Sequence, residues 1–530
     1  MSAGGPRGAV PISGLGRVPN AQRRSPSFGV ASRLCMALSS TALRRQGGLI
    51  GGILLCGLLL SLSPPEGLEP SAWRTAAVGL LMAVWWVTEA VSISATALLP
   101  IVLFPLLGIT DVDGATSPYA NPLIFLFLGG FLLAQAMQAW GLHRRVALGI
   151  VQRVGTNPRS IVIGFILASA FLSMWVSNTA TALMMLPIGL SIIDLARDRQ
   201  EAQGEPPDSH FGLVLLLSIA YACNIGGIGT LIGTPPNALL AGFFSETYGV
   251  EVGFAQWMIM GLPVVGIALP TMYVVLTWVY PIRLAELPGG AQIIEAESAK
   301  LGAMSTAERR VALVFVGAAA LWMARPLLAD VVPGLSDAGV AIGAGLLLFM
   351  LPAGTDDRAL LVWRDAEELP WGVLLLFGGG LSLASAISDT GLAAWIGEGV
   401  RAFSAWPLPL ILLGTVALIV LLTEITSNTA TTAAFLPILG AVAVGLGENP
   451  FLLAVPAALG ASCAFMLPVA TPPNAIVYGS GLLSIPQMSR AGLWLNLVSV
   501  LLVTALAYAL LGVAFGVELG TVPSWVPGAG

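Results

Sequence analysis

Apolar stretches of about 17–25 residues recur along most of the chain, each long enough to cross a hydrocarbon core about 30 Å thick as a helix. Ala76–Val87, Ile161–Val176, Leu213–Ala222, Val311–Met323, Ile411–Leu422 and Leu493–Phe515, with their flanks, are examples. About 11 crossings fit the pattern. Polar residues collect between them, at Asp111–Asn121, Asp194–His210 and Arg283–Arg310. An all-α polytopic membrane protein is the expectation, because backbone in lipid must satisfy its hydrogen bonds within its own segment.

The apolar pattern is interrupted at corresponding places in two halves. Ser-Met-Trp-Val-Ser-Asn-Thr-Ala-Thr at 173–181 is answered by Thr-Glu-Ile-Thr-Ser-Asn-Thr-Ala-Thr at 423–431, 250 positions later. Ile-Gly-Thr-Pro-Pro-Asn-Ala at 232–238 is answered by Val-Ala-Thr-Pro-Pro-Asn-Ala at 469–475, 237 positions later. Two glycine-rich stretches keep the same order, Phe-Leu-Gly-Gly-Phe at 127–131 and Phe-Gly-Gly-Gly-Leu at 377–381. Three matched features in one order mean an internal duplication, and polar breaks at matched depths point to a transporter site. Gly129-Gly130 breaks the segment Pro122–Trp140, which reads as a re-entrant hairpin or broken helix; Leu369–Ile396, around Gly378–Gly380, repeats it.

Composition agrees with a membrane protein. Of the 530 residues, 56% are hydrophobic and 10% charged, against roughly 25% charged in soluble domains; mean hydropathy is +0.88. The net charge of −5 sits mostly in loops and carries no message about nucleic acid. Cys35, Cys56, Cys223 and Cys463 stand singly, without metal spacing or a disulfide framework. The two histidines, His143 and His210, lie beside loop-like sequence, so a histidine-centred catalytic or metal site is not expected.

The chain divides into a basic tail at 1–46, a first membrane repeat at 47–282, a polar linker at 283–310, a second repeat at 311–518 and a short tail at 519–530. The first tail holds seven arginines and no acid. It reads as disordered and retained in the cytoplasm by its positive charge; an organellar transit peptide, or a true start near Met36, is the other reading.

Short oxygen-bearing side chains are costly at membrane depth unless they have partners or a task. Ser173 and Ser177, like Thr423 and Ser427, are four apart and would share a helix face, with Asn and Thr just beyond. Pro235-Pro236 and Pro472-Pro473 remove amide donors and push Thr234 and Thr471 out of helical geometry, freeing carbonyls around Gly233 and Ala470. Hydroxyls, an Asn oxygen and free carbonyls make an all-oxygen cage of the kind a hard cation takes, while broken helices aim amide donors at an anion. No Lys, Arg or His occurs in 160–195, 211–245, 402–447 or 450–489, and Glu424 and Asp194 are the acids of the motif helices. Helix ends supply only about half a charge each. The positive charge that a dianion needs must be carried in, which points to cation-coupled uptake with Na⁺ as the coupling ion.

These motifs resemble those of the divalent anion/sodium symporter family, the dicarboxylate, citrate and sulfate carriers, over nearly everything from Leu49 to Phe515. The resemblance implies a homodimer in a cell (inner) membrane, with a scaffold domain and an elevator-type transport domain holding two re-entrant hairpins and two broken helices in inverted repeats. By position, a first sodium site would use Ser173, Ser177, Asn178 and the Gly233 carbonyl. A second would use Thr423, the Thr426 carbonyl, Asn428 and the Ala470 carbonyl. Substrate carboxylates would meet Asn178, Thr179 and Thr234 from one half and Asn428, Thr429, Thr471 and Pro472 from the other. Thr426 departs from the small apolar residue expected there, but only its carbonyl is required.

Sodium-coupled uptake of C4-dicarboxylates is thus the leading expectation, since two equivalent half-sites suit a carboxylate at each end. Sulfate or tricarboxylate symport is the alternative, followed by sodium-independent exchange, which would call for a fixed basic side chain in a cation position. An enzyme is not expected. Ser177 and Ser427 have no base nearby, and the one adjacent acid pair, Asp356-Asp357, lies in loop-like sequence.

Overall fold

A computed structural model describes residues 28–526 apart from 156, 203–207, 285, 288, 329, 355–357 and 401–405, with side chains of the first helix described from Arg44 onward. The first 27 residues of the expected basic tail, with any transit peptide in them, lie outside the described residues, as does the pair Asp356-Asp357. The first half comprises α1 (Phe28–Ser61), α2 (Pro70–Thr88), α3 (Ile93–Thr96), α4 (Leu99–Leu106), α5 (Val112–Thr116), α6 (Pro122–Ala139), α7 (Leu142–Val154), α8 (Pro158–Ser173), α9 (Asn178–Ala202), α10 (Ser209–Gly227), α11 (Pro235–Tyr248) and α12 (Phe254–Val279). After the linker helix α13 (Gly290–Lys300) come α14 (Thr306–Leu328), α15 (Asp337–Met350), α16 (Trp363–Glu367), α17 (Trp371–Asp389), α18 (Leu392–Val400), α19 (Leu408–Thr423), α20 (Asn428–Gly445), α21 (Phe451–Ala461), α22 (Pro472–Tyr478) and α23 (Ile485–Phe515). Eight helices among the described residues are long and apolar enough to span a membrane. The last part of the expected disordered tail is helical, since α1 begins at Phe28, and α14 starts at Thr306, inside the expected linker.

The two halves run in opposite senses. On one side of the membrane, His210 Nδ1 lies 3.2 Å from the Pro281 carbonyl and the Tyr280 hydroxyl donates to the Gln487 carbonyl at 2.9 Å. The start of α10, the end of α12 and the start of α23 therefore share that side. A Cβ built on Gly289 would lie 3.4 Å from Leu195, and one on Gly290 3.3 Å from Ile161, so the start of α8 and the end of α9 meet there too. On the opposite side, Gln256 donates to the Ala514 carbonyl at 3.1 Å and Glu448 accepts the Gly520 N–H at 2.8 Å. Leu412, early in α19, packs with Ala443, late in α20, so that hairpin also opens at its base to one side. Thus α8–α9 is a re-entrant hairpin from the first side and α19–α20 one from the second, and α10–α11 and α21–α22 are broken spans of opposite direction. These are inverted repeats.

The hairpins are therefore not where the glycine runs suggested. α6 and α17 are continuous helices of 18 and 19 residues, each about 27 Å long. Their glycines serve close packing instead. A Cβ on Gly129 would meet the Ala341 backbone at 2.4 Å, and one on Gly379 the Ala97 carbonyl at 2.1 Å. Each helix thereby seats against the other half, α6 on α15 and α17 on α3. Small residues allow such backbone approach where lipid offers no hydrophobic drive between helices. The chain reverses instead at the Ser-Asn-Thr motifs, where four residues, 174–177 and 424–427, join two helices. Ser173 and Ser177 consequently do not share a helix face, because α8 ends at Ser173; Thr423 and Ser427 are separated in the same way.

Candidate functional site

Both hairpin tips begin with the same turn. The Trp175 and Val176 N–H groups donate to the Leu172 carbonyl at 3.0 and 2.8 Å, and those of Ile425 and Thr426 to the Leu422 carbonyl at 3.1 Å each. Asn178 and Asn428 then open α9 and α20, whose first amides have no intrahelical acceptor. The Ser173 hydroxyl, fully buried, donates to Asn178 Oδ1. Thr423 Oγ1, its counterpart, lies 2.5 Å from Asn428 Oδ1 and 2.8 Å from the Ala461 carbonyl oxygen, its single proton shared between these two acceptors. In each half a hydroxyl thus turns the Asn oxygen inward.

The broken spans supply the facing carbonyls. Thr234 (φ −148°, ψ 142°) and Thr471 (φ −142°, ψ 151°) are extended, and each precedes a Pro-Pro pair at the start of a half-helix. Missing amides there cost nothing, because first-turn N–H groups have no helical partner. A Cβ on Gly227 would stand 3.0 Å from both Asn178 Oδ1 and the Gly233 carbonyl, so its absence lets those oxygens converge. Asn237 donates to the carbonyls of Gly227 at 3.0 Å and Thr230 at 2.7 Å. Asn474 repeats this in the second half, on the carbonyls of Ala464 and Leu467, both at 3.1 Å. The Asn of each Thr-Pro-Pro-Asn-Ala motif is a tie across the helix break. Its place in the repeated motif was visible, but its role was not.

Both tips and both breaks line one cavity of about 1110 Å³. Ser177, Asn178, Thr179, Gly233 and Thr234 stand on its wall from the first half; Thr426, Asn428, Thr429, Ala470, Thr471 and Pro472 from the second. Ser173 and Thr423 lie behind the wall. The Ser177 hydroxyl also accepts the Ala180 N–H at 3.2 Å, capping α9. The halves are stitched beneath the cavity: Asn224 on α10 donates to Thr471 Oγ1 at 3.1 Å, and the Tyr221 hydroxyl to the Phe465 carbonyl at 2.6 Å.

Charge on this wall is sparse. Arg44, exposed, and Glu89 are both on it, with Glu89 3.9 Å from Arg45; Glu368 is the other acid. Burial pushes the His143 imidazole below its ordinary pKa, so it is neutral at neutral pH and adds no cation nearby. Among the described residues no group of three His, Cys, Asp or Glu could hold a metal. The donor set is short neutral oxygens, as a hard monovalent cation takes.

Sequence reasoning saw Glu424 without finding its task. Its carboxylate, 4% exposed, accepts N–H bonds from Phe465 at 2.7 Å, Met466 at 2.9 Å and Leu467 at 3.0 Å, and one from the Asn496 side chain at 2.7 Å. It holds the second helix break from behind. The signal was its solitude in an apolar segment.

The family described as the sodium:sulfate symporter transmembrane region matches residues 48–517. A relative from Staphylococcus aureus (strain USA300), the sodium-dependent dicarboxylate transporter SdcS, is 45% identical over 479 residues, 89% of this chain and 92% of that protein. Among solved structures, the chain is similar in fold to the Alcanivorax borkumensis YdaH transporter (TM-score 0.50, 14% identity, 90% of this chain and 98% of that one). It is likewise similar to Neisseria gonorrhoeae MtrF (TM-score 0.54, 15% identity, 83% and 95%).

Proposed function

The chain belongs to the sodium:sulfate symporter family, and on that premise we propose that it carries C4-dicarboxylates such as succinate, malate and fumarate together with Na⁺. It is a multi-pass membrane transporter, not an enzyme. The observation that carries the substrate reading is the duplicated hydroxyl–Asn pair, Ser173–Asn178 and Thr423–Asn428, at two tips facing one cavity. Two half-sites suit an anion with a carboxylate at each end, whereas sulfate would engage one set of donors at a time. The name of the relative from S. aureus supports the same class.

In this reading Ser173, Ser177, Asn178 and the Gly233 carbonyl hold one Na⁺, and Thr423, the Thr426 carbonyl, Asn428 and the Ala470 carbonyl hold another. Carboxylates meet Asn178, Thr179 and Thr234 on one side and Asn428, Thr429, Thr471 and Pro472 on the other. Helix N-termini at Asn178 and Asn428 add about half a charge each, and the ions supply the rest. Sodium therefore lowers the electrostatic cost of the dianion, and the two affinities are reciprocally coupled, by about 1–3 kcal/mol.

The side bearing α7 and the linker carries Arg144, Arg145, Arg153, Arg159, Arg197, Arg199, Arg309 and Arg310. By the positive-inside rule it is the cytoplasmic face of a cell membrane. The cavity reaches Gln138 at the end of α6 and Arg44 at the middle of α1, just before its apolar part, so it opens toward that face. The interlocked hairpins and broken spans form the moving, elevator-type unit, with the remaining long helices as scaffold in a homodimer.

Proteoliposomes test this. Succinate uptake should require an inward Na⁺ gradient and be weakly inhibited by sulfate. Succinate should also raise the Tm of purified protein in sodium buffer and leave it nearly unchanged in choline buffer. Equal stabilisation in both buffers moves the reading to exchange, and sulfate uptake exceeding succinate uptake moves it to the inorganic anion.

A further inference from the structure

The two hairpin tips share their backbone turn, and one of the differences between them is a hydroxyl. Position 426 is Thr where the matching position, 176, is Val. The Thr426 hydroxyl donates to the Leu422 carbonyl at 2.7 Å and lies 2.6 Å from the Thr431 hydroxyl. A carbonyl only accepts, so the single Thr426 proton goes to Leu422 and Thr431 donates to Thr426. The result is a directed relay, Thr431 to Thr426 to Leu422, that ties the first turn of α20 to the last turn of α19. Both threonines are buried, at 6% and 3% exposure. In the first tip, Thr181 occupies the place of Thr431, is equally buried and has no hydrogen-bond partner for its hydroxyl, because Val176 offers none.

We infer that the Thr426 hydroxyl is a positioning group that sets the sodium affinity of the second tip by locking the 424–427 turn before the ion arrives. The inference rests on the reading that the Thr426 carbonyl is a sodium ligand. That carbonyl belongs to the same residue whose side chain is pinned at Oγ1, and Asn428, the other tip ligand, lies two residues on. A turn tied to both of its helices is already ordered when Na⁺ binds, so less ordering cost is taken from the binding free energy. A buried hydrogen bond is worth about 0.5–1.5 kcal/mol, which converts to about a two- to tenfold change in affinity. The first tip, without the relay, is the looser of the two.

The experiment reads half-saturating Na⁺ two ways on the purified full chain: by sodium-induced thermal stabilisation without substrate, and by sodium-dependent succinate uptake. Thr426→Val and Thr431→Val should each raise it about two- to tenfold. The double variant should go no further than the larger single change, because both remove one relay, and Thr426→Ser should restore the wild-type value. Thr431→Val carries the test if Thr426→Val does not fold. Wild-type half-saturation in both valine variants overturns the relay while leaving the sodium reading standing, as does a double variant that sums the two effects. A wild-type protein that Na⁺ does not stabilise at all overturns the sodium reading and the relay with it.

Discussion

The second half-site is held from behind by a carboxylate; the first is held by its own backbone. At the first break, the Ile228 and Gly229 N–H groups return to the Ile225 and Gly226 carbonyls at 3.1 and 2.9 Å, continuing a helical turn. At the second, the matching amides of Phe465 and Met466, with that of Leu467, go to Glu424. Position 174, which matches 424, is Met, and its carbonyl accepts the Thr230 hydroxyl at 2.5 Å. The carbonyls of Ile228 and Phe465 accept from different aromatic donors, Trp257 at 2.9 Å and Tyr221 at 2.6 Å. Two loops that present equivalent oxygens to one cavity reach that geometry by different supports. Duplication preserved the groups facing the cavity and allowed those behind it to diverge, since any partner that satisfies a buried amide serves equally.

The sharpest break of this equivalence is on the cavity wall. Asn178→Ala and Asn428→Ala should each abolish succinate transport, because each removes an oxygen and an amide that nothing in a dry pocket replaces. Normal uptake by either variant, measured in proteoliposomes, would show that the halves do not share the substrate.

Behind the wall the halves should separate. Glu424→Gln turns an amide donor toward backbone N–H groups and should cost about 1–3 kcal/mol, seen as a lower Tm and weaker succinate binding. Met174→Leu, at the matching position, should cost less than about 1.5 kcal/mol. Equal destabilisation would deny that the second break depends on its carboxylate.

Ser177→Ala and Thr423→Ala should raise half-saturating Na⁺ several-fold while the protein still folds. The effect should be larger for Thr423, whose hydroxyl orients the Asn oxygen, than for Ser177, whose hydroxyl also caps α9. A sodium titration that neither variant shifts would remove both from the ion sites. The smallest expected change is a gain: Val176→Thr gives Thr181 a partner and should lower half-saturating Na⁺ about twofold. An unchanged titration would confine the hydroxyl effect to the second tip.

Much of this is legible in the sequence alone. Recurring apolar length gave the membrane class, and the matched motifs gave the duplication and the residues that meet at the cavity. The hairpins were misplaced because Gly129-Gly130 and Gly378–Gly380 carry the same local signal whether a helix breaks there or another backbone packs against it. Local propensity cannot distinguish a flexible glycine from a close-packed one; the neighbour decides, and the neighbours Ala341 and Ala97 come from the other half of the chain.

The sequence by itself determined which oxygens could serve a cation, because short polar side chains and proline-freed carbonyls at membrane depth have few other uses and occur twice in one order. It determined, too, that the motif segments carry no basic side chain. Only the tertiary structure decided where the chain turns back, that the halves enter from opposite faces, and which groups hold each loop. Those outcomes depend on contacts between residues far apart in the chain, such as Asn224 with Thr471, 247 positions later. A periodicity within one segment holds no information about the partner that closes it.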